Sequence, residues 1–90
     1  MLIEKQIEVV NKLGLHARAA AKLVQTASKF ESEVFIELNG QSINAKSIMG
    51  IMMLAASCGT IIGLKVAGED EELAAQTIID LFADRFGEGE

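Results

Sequence analysis

The stretch Glu33 to Asn44, EVFIELNGQSIN, decides the fold. Val34, Ile36 and Leu38 alternate with Glu33, Phe35 and Glu37, the period-two pattern of a strand with one buried face. Asn39 and Gly40 supply two residues that tolerate positive φ in a tight turn, so Gln41 to Asn44 folds straight back as an antiparallel neighbour. A hairpin with one apolar face needs a cover, and the chain on either side provides it.

Toward the N-terminus, from Ile3 to Val10, Ile3, Ile7 and Val9 alternate with Glu4, Gln6 and Glu8 as a further half-buried strand. A helix is predicted from about His16 to the Ser28, Lys29 region. Its run is dense in alanine, the strongest helix former, and Ala20, Leu23, Val24 and Ala27 recur at the spacing of one buried face. Arg18, Lys22 and Lys29 are left for the solvent side. Toward the C-terminus, the eighteen residues from Ser47 to Leu64 carry no charge, which approaches a membrane span in length. Small and polar residues at Ser57 to Thr60 divide that run instead. The result is a short helix over Ile48 to Ala55, with Ser47 as N-cap, and a strand over Ile61 to Ala67 whose Ile62, Leu64 and Val66 share a face. Glu69 or Asp70 caps a last helix with Ala74, Ile78, Leu81, Phe82 and Arg85 at helical spacing, and Gly87 stops it.

The order β-α-β-β-α-β-α, with every strand half apolar, describes an α+β protein whose sheet is covered by helices on one side. Pattern alone admits an open-faced β-sandwich and, as its nearest competitor, a ferredoxin-like arrangement. Ninety residues make one domain, residues 1–90. A single cysteine, Cys58, excludes an intrachain disulfide and reads as an inert turn or core residue; one histidine leaves no cluster for a metal. No basic leader followed by an apolar core opens the sequence, so a reducing compartment is expected. The net charge is -5, distributed unevenly: Met1 to Lys29 holds five basic and two acidic residues, Val66 to Glu90 one basic and eight acidic. An acidic chain without a basic cluster lacks the footprint of nucleic-acid binding.

The chemistry concentrates at His16. Gly14 can take the positive φ of a sharp turn, which places the only histidine at the N-cap or first turn of the first helix. A helix start carries unpaired N–H groups and partial positive charge, so it attracts anions and phosphates and favours the neutral, nucleophilic imidazole. Arg18 adds a fork of charged donors two residues on. Without further context a lone histidine there is most simply a cap, but serine, threonine, asparagine or aspartate caps better. Ser47 caps the second helix whether or not it is also modified. Ile48, Met49, Met52 and Met53 cannot all face inward on one short helix. Ile51 and Leu54 are expected inside, and Ile48, Met49 and Met52 outside as an apolar patch beside His16.

The run Asn11, Gly14, Leu15, His16, Ala17, Arg18, Ala20 resembles the active-site motif of the HPr family, the histidine-containing phosphocarriers of the bacterial phosphoenolpyruvate-dependent phosphotransferase system. The run Ala45, Lys46, Ser47, Ile48, Met49, Gly50 is similar to that family's regulatory serine segment. Ala19 departs from the usual proline, and a slightly looser loop is expected there. The resemblance implies an open-faced β-sandwich with a four-stranded antiparallel sheet ordered 1-4-2-3 and three helices on one face. It implies phosphorylation of His16 on Nδ1, with enzyme I as donor and IIA proteins of sugar uptake as acceptors. It also implies phosphate stabilisation by Arg18 and the amides of Ala17 and Arg18, modification of Ser47 by HPr kinase/phosphorylase, and partner docking on Ile48, Met49 and Met52. On that reading the chain is a cytoplasmic, monomeric carrier without metal or cofactor, relying on its partners for catalysis, and neither binds nucleic acid nor inserts into a membrane. Two alternatives stand beside it: a carrier of the nitrogen-related regulatory branch, and a ferredoxin-like binding module in which His16 is only a cap.

Overall fold

The protein was analysed as a computed structural model that describes residues 2–88. Its elements run β1 (Leu2–Glu8), α1 (Ala17–Ala27), β2 (Glu33–Leu38), β3 (Gln41–Asn44), α2 (Ile48–Leu54), β4 (Ile61–Ala67) and α3 (Glu71–Ala83), followed by a 3₁₀ turn at Arg85–Gly87. The four strands form one antiparallel sheet in the order β1-β4-β2-β3. That order selects the open-faced sandwich over its ferredoxin-like competitor.

The hairpin forms as its sequence requires. Asn39 and Gly40 have φ of 52° and 81°, and the register pairs Leu38 with Gln41 and Phe35 with Asn44. Val34 and Ile36 of β2 and Ile62, Leu64 and Val66 of β4 are buried with Ile7 of β1, forming the apolar floor. Ala19, Ala20, Leu23 and Ala27 of α1 and Ala74, Ala75, Ile78 and Phe82 of α3 close over it. Val24 is only partly buried at its margin. On the uncovered face the Lys65 ammonium lies 3.0 Å from Glu37 and 3.6 Å from Glu4, linking three strands.

Three local expectations need correction. The helix expected over Ile48 to Ala55 ends one residue earlier, because Ala55 turns left-handed (φ 52°) to redirect the chain toward β4. The last helix does not reach Arg85: α3 stops at Ala83, and both Arg85 and Phe86 have φ of 54°. The periodicity pointed to Arg85, yet that side chain is exposed, and Phe86 swings back into the core instead. Its ring meets Phe82 edge-on at 4.8 Å, a favoured aromatic geometry. Burial of the second ring outweighs the strain of two left-handed residues.

Asp70 occupies the N-cap of α3, but its side chain makes no capping bond. Its carboxylate instead accepts from the amides of Glu31 and Ser32, both at 3.0 Å, and from the Ser32 hydroxyl. This ties the approach to β2 onto the start of α3. Those bonds, the Ser32 hydroxyl first, hold the Asp70 carboxyl below its ordinary value of 3.8. A carboxylate with a depressed folded pKa stabilises the fold above its unfolded pKa and loses that contribution as pH falls through the folded one. Asp70→Ala is therefore expected to lower the urea midpoint, with a gap to wild type that is full above about pH 3.8 and narrows at lower pH. Urea titrations across that range measure it.

Candidate functional site

The site is built where two backbones touch. β1 leads through Val9, which bonds to Gly59 and Thr60 beyond the sheet (2.7 and 2.9 Å), into a tight loop over residues 11–16. Gly14 has φ of 66°, and its α-carbon faces the Ala56 carbonyl so closely that a Cβ would stand 2.5 Å from that oxygen. The Leu15 amide donates to the same carbonyl at 2.8 Å. Pinned there, the loop delivers His16 in extended conformation (φ -75°, ψ 179°) as the N-cap of α1.

Both ring nitrogens of His16 are engaged, and the partners define the tautomer. Nδ1 accepts from the Arg18 amide at 3.3 Å, so its lone pair points at the start of α1. Nε2 meets a carboxylate oxygen of Glu88, which can only accept, so the ring proton belongs on Nε2. The other Glu88 oxygen accepts from Asn11 Nδ2 at 3.1 Å, while the same amide nitrogen donates to the Gly14 carbonyl at 2.7 Å. Two acceptors on one side fix which way the fully buried Asn11 amide points, since the flipped amide would set oxygen against oxygen. Burial alone would push the Glu88 carboxyl up; the bonds from Asn11 and His16, with the positive charge of Lys22, outweigh it and hold it below its ordinary range.

Lys22 was expected to be simply solvated. It is half-buried instead, and its ammonium donates to the Phe86 carbonyl, fastening the 3₁₀ turn that carries Glu88. His16, Ala17 and Arg18 line one open cleft with Lys12, Leu13, Lys22, Gly87 and Glu88. Three of the lining residues, Lys12, Arg18 and Lys22, are basic, and the His16 side chain is partly exposed in it. Ala19 is fully buried in the first turn of α1.

Ser47 is exposed at the N-cap of α2, its hydroxyl accepting from the Gly50 amide at 3.2 Å. Ile51 and Leu54 face inward, and Ile48, Met49 and Met52 are exposed. Met53, omitted from the expected patch, is the most exposed of the four at 77%. α2 packs against α1, so this apolar surface adjoins the helix that His16 caps. Cys58 is exposed in the turn before β4, its sulfur 3.9 Å from the Val10 carbonyl. Among the described residues no helix is long and apolar enough to cross a membrane.

Sequence reasoning missed Glu88 and the part played by Asn11. Glu88 lies 72 positions from His16 in a run whose acidity resembles any solvated helix end. Asn11 carried a weak signal, a polar residue three positions before a turn glycine.

Fold and site together define a small open-faced sandwich that presents an imidazole at the start of a helix. The chain belongs to the HPr family: residues 3–84 match the family described as PTS-HPr, PTS HPr component phosphorylation site. It is 55% identical over 87 residues to the phosphocarrier protein HPr of Xylella fastidiosa, covering 97% of this chain and 98% of the relative. The crystal structure of HPr-C-His from Thermoanaerobacter tengcongensis superposes with a TM-score of 0.92 at 51% identity, covering 96% of this chain and 97% of that one. A crystal structure of an HPr dimer from the same organism aligns at a TM-score of 0.78 and 52% identity, over 91% and 94% of the two chains.

The contact at Gly14 is the most demanding in the site. Gly14→Ala combines a left-handed backbone with a clash against main-chain atoms that cannot move aside. It is expected to cost about 2 kcal/mol or more, read as a lowered midpoint in chemical denaturation.

Proposed function

We propose that this chain is a phosphoryl carrier of the phosphoenolpyruvate-dependent phosphotransferase system, accepting a phosphoryl group from enzyme I on Nδ1 of His16 and passing it to IIA proteins of sugar uptake. The observation that carries this reading is the setting of the ring: Nε2 faces the Glu88 carboxylate, and Nδ1 accepts from the Arg18 amide at the start of a helix. Nδ1 attacks phosphorus, a bond to nitrogen forms, and the bond to the donor breaks with its electron pair leaving on the donor. The incoming oxygens then meet the helix end, where the Ala17 and Arg18 amides and the Arg18 guanidinium receive negative charge. Delivery to the acceptor reverses these events.

The chain acts as a relay, with its partners supplying most of the catalysis. It works in the cytoplasm, as a monomer that forms short-lived complexes through the exposed apolar surface of α2. Methionines suit such a surface, because flexible side chains repack against different partners. Ser47 borders this surface and is a target for HPr kinase/phosphorylase. A phosphate there is tolerated by the helix start but puts charge into an apolar contact.

Intact-protein mass after incubation with phosphoenolpyruvate and enzyme I tests the carrier role. One added phosphoryl group, labile to acid and stable to base, is expected on wild type and absent from His16→Ala. No gain in mass, with an enzyme I shown to be active on a known carrier, overturns the reading. Ser47→Asp keeps a capping oxygen while adding charge, and is expected to weaken enzyme I binding about tenfold by calorimetry.

A further inference from the structure

The geometry points to Glu88 as a positioning residue for phosphotransfer: clasped by Asn11, its carboxylate keeps the ring proton of His16 on Nε2, so that Nδ1 alone is the nucleophile. The inference rests on the carrier reading above and extends it to the choice between the two ring nitrogens.

A free imidazole exchanges its proton between both nitrogens and can be attacked through either. Here the exchange is suppressed from two directions. The Arg18 amide donates to Nδ1, and a proton there would set donor against donor. Glu88 offers Nε2 an acceptor, and a lone pair there would set oxygen against nitrogen without a proton between them. The clasp requires a carboxylate specifically. Asn11 Nδ2 and His16 Nε2 are both donors, and they approach different oxygens of the same side chain. A glutamine presents one oxygen and one NH₂, so it can satisfy only one of them.

The turn is built to hold this group in place. Phe86 anchors it in the core, Lys22 caps its carbonyl, and Gly87 takes a φ of 74° to turn the chain toward His16. During transfer no proton has to move. When Nδ1 forms its bond to phosphorus the ring becomes cationic, with hydrogen still on Nε2, and the Glu88 carboxylate faces that developing charge. When the acceptor attacks phosphorus, the electron pair returns to Nδ1 and the ring is neutral again with the same proton. An acidic residue acting on the far nitrogen of a histidine in this way orients it without touching the transferred group.

The test compares full-length wild type with Glu88→Ala and Glu88→Gln. Ring ¹⁵N spectra at alkaline pH are expected to show, in wild type, widely separated shifts with Nε2 protonated and Nδ1 bare. In Glu88→Ala that separation contracts toward the value of free histidine. With enzyme I as donor, both variants are expected to lose about tenfold in the maximal rate of phosphoryl uptake with little change in KM, and Glu88→Ala gains a fraction of product on Nε2. Unchanged ring shifts in Glu88→Ala overturn the proposal, including the case where the variant merely melts earlier, since that is what a purely structural tether would do. Changed shifts with unchanged uptake also overturn it. If wild type takes up no phosphoryl group, the carrier reading fails and takes this inference with it, while the ring spectra still report separately whether the clasp exists.

Discussion

The close approach of the loop at Gly14 to the backbone at Ala56 and Ser57 is the constraint on which the site depends. It brings the exit of β1 and the exit of α2 to within a distance that excludes a single carbon atom. From that contact the direction of α1 follows, and with it the position of His16 at the helix start. The sheet can tolerate small shifts in its floor, because side chains repack. Two main chains in contact have no such freedom. That close main-chain contact sits directly behind the His16 ring and sets how the loop presents it.

The rest of the fold leaves that ring partly exposed while Asn11, Lys22 and Glu88 beside it are held by hydrogen bonds. The helices bury the apolar face of the sheet, and α1 is held along its length by alanines and Leu23 at full burial. Its positive end is therefore presented at the surface by a rigid base. The uncovered face of the sheet carries the link from Lys65 to Glu4 and Glu37, and the ion pair with Glu37 keeps the lysine protonated above its ordinary value. Charge on that side marks it as a wet surface, distinct from the apolar surface of α2.

Much of this was legible in the sequence for local reasons. Alternation gave the strands, Asn39 and Gly40 gave the hairpin, and Gly14 followed by His16 and an alanine-rich run gave the helix start. Each is a short-range rule about backbone freedom or burial. The features that escaped are long-range. That Phe86, and not Arg85, turns into the core depends on where the Phe82 ring lies across the chain's last bend. That Asp70 bonds to Glu31 and Ser32 in place of its own helix depends on how α3 meets the approach to β2. The exposure of Met53 depends on which two faces of a seven-residue helix the sheet and α1 leave open. The contact of Glu88 with His16 combines both difficulties, since neither periodicity nor composition distinguishes one glutamate in an acidic tail from another.

The contact between Glu88 and His16, 72 positions apart, ties the His16 ring to the packing of the chain's far end. Turns near a chain end open locally at little cost, so this contact can be lost while the core persists. The sheet and α1 can therefore be fully formed while the ring is still unclasped. Opening of that one 3₁₀ turn would part the imidazole from its carboxylate neighbour while the core stayed packed, so a local event at the chain's far end would be felt first at the start of α1.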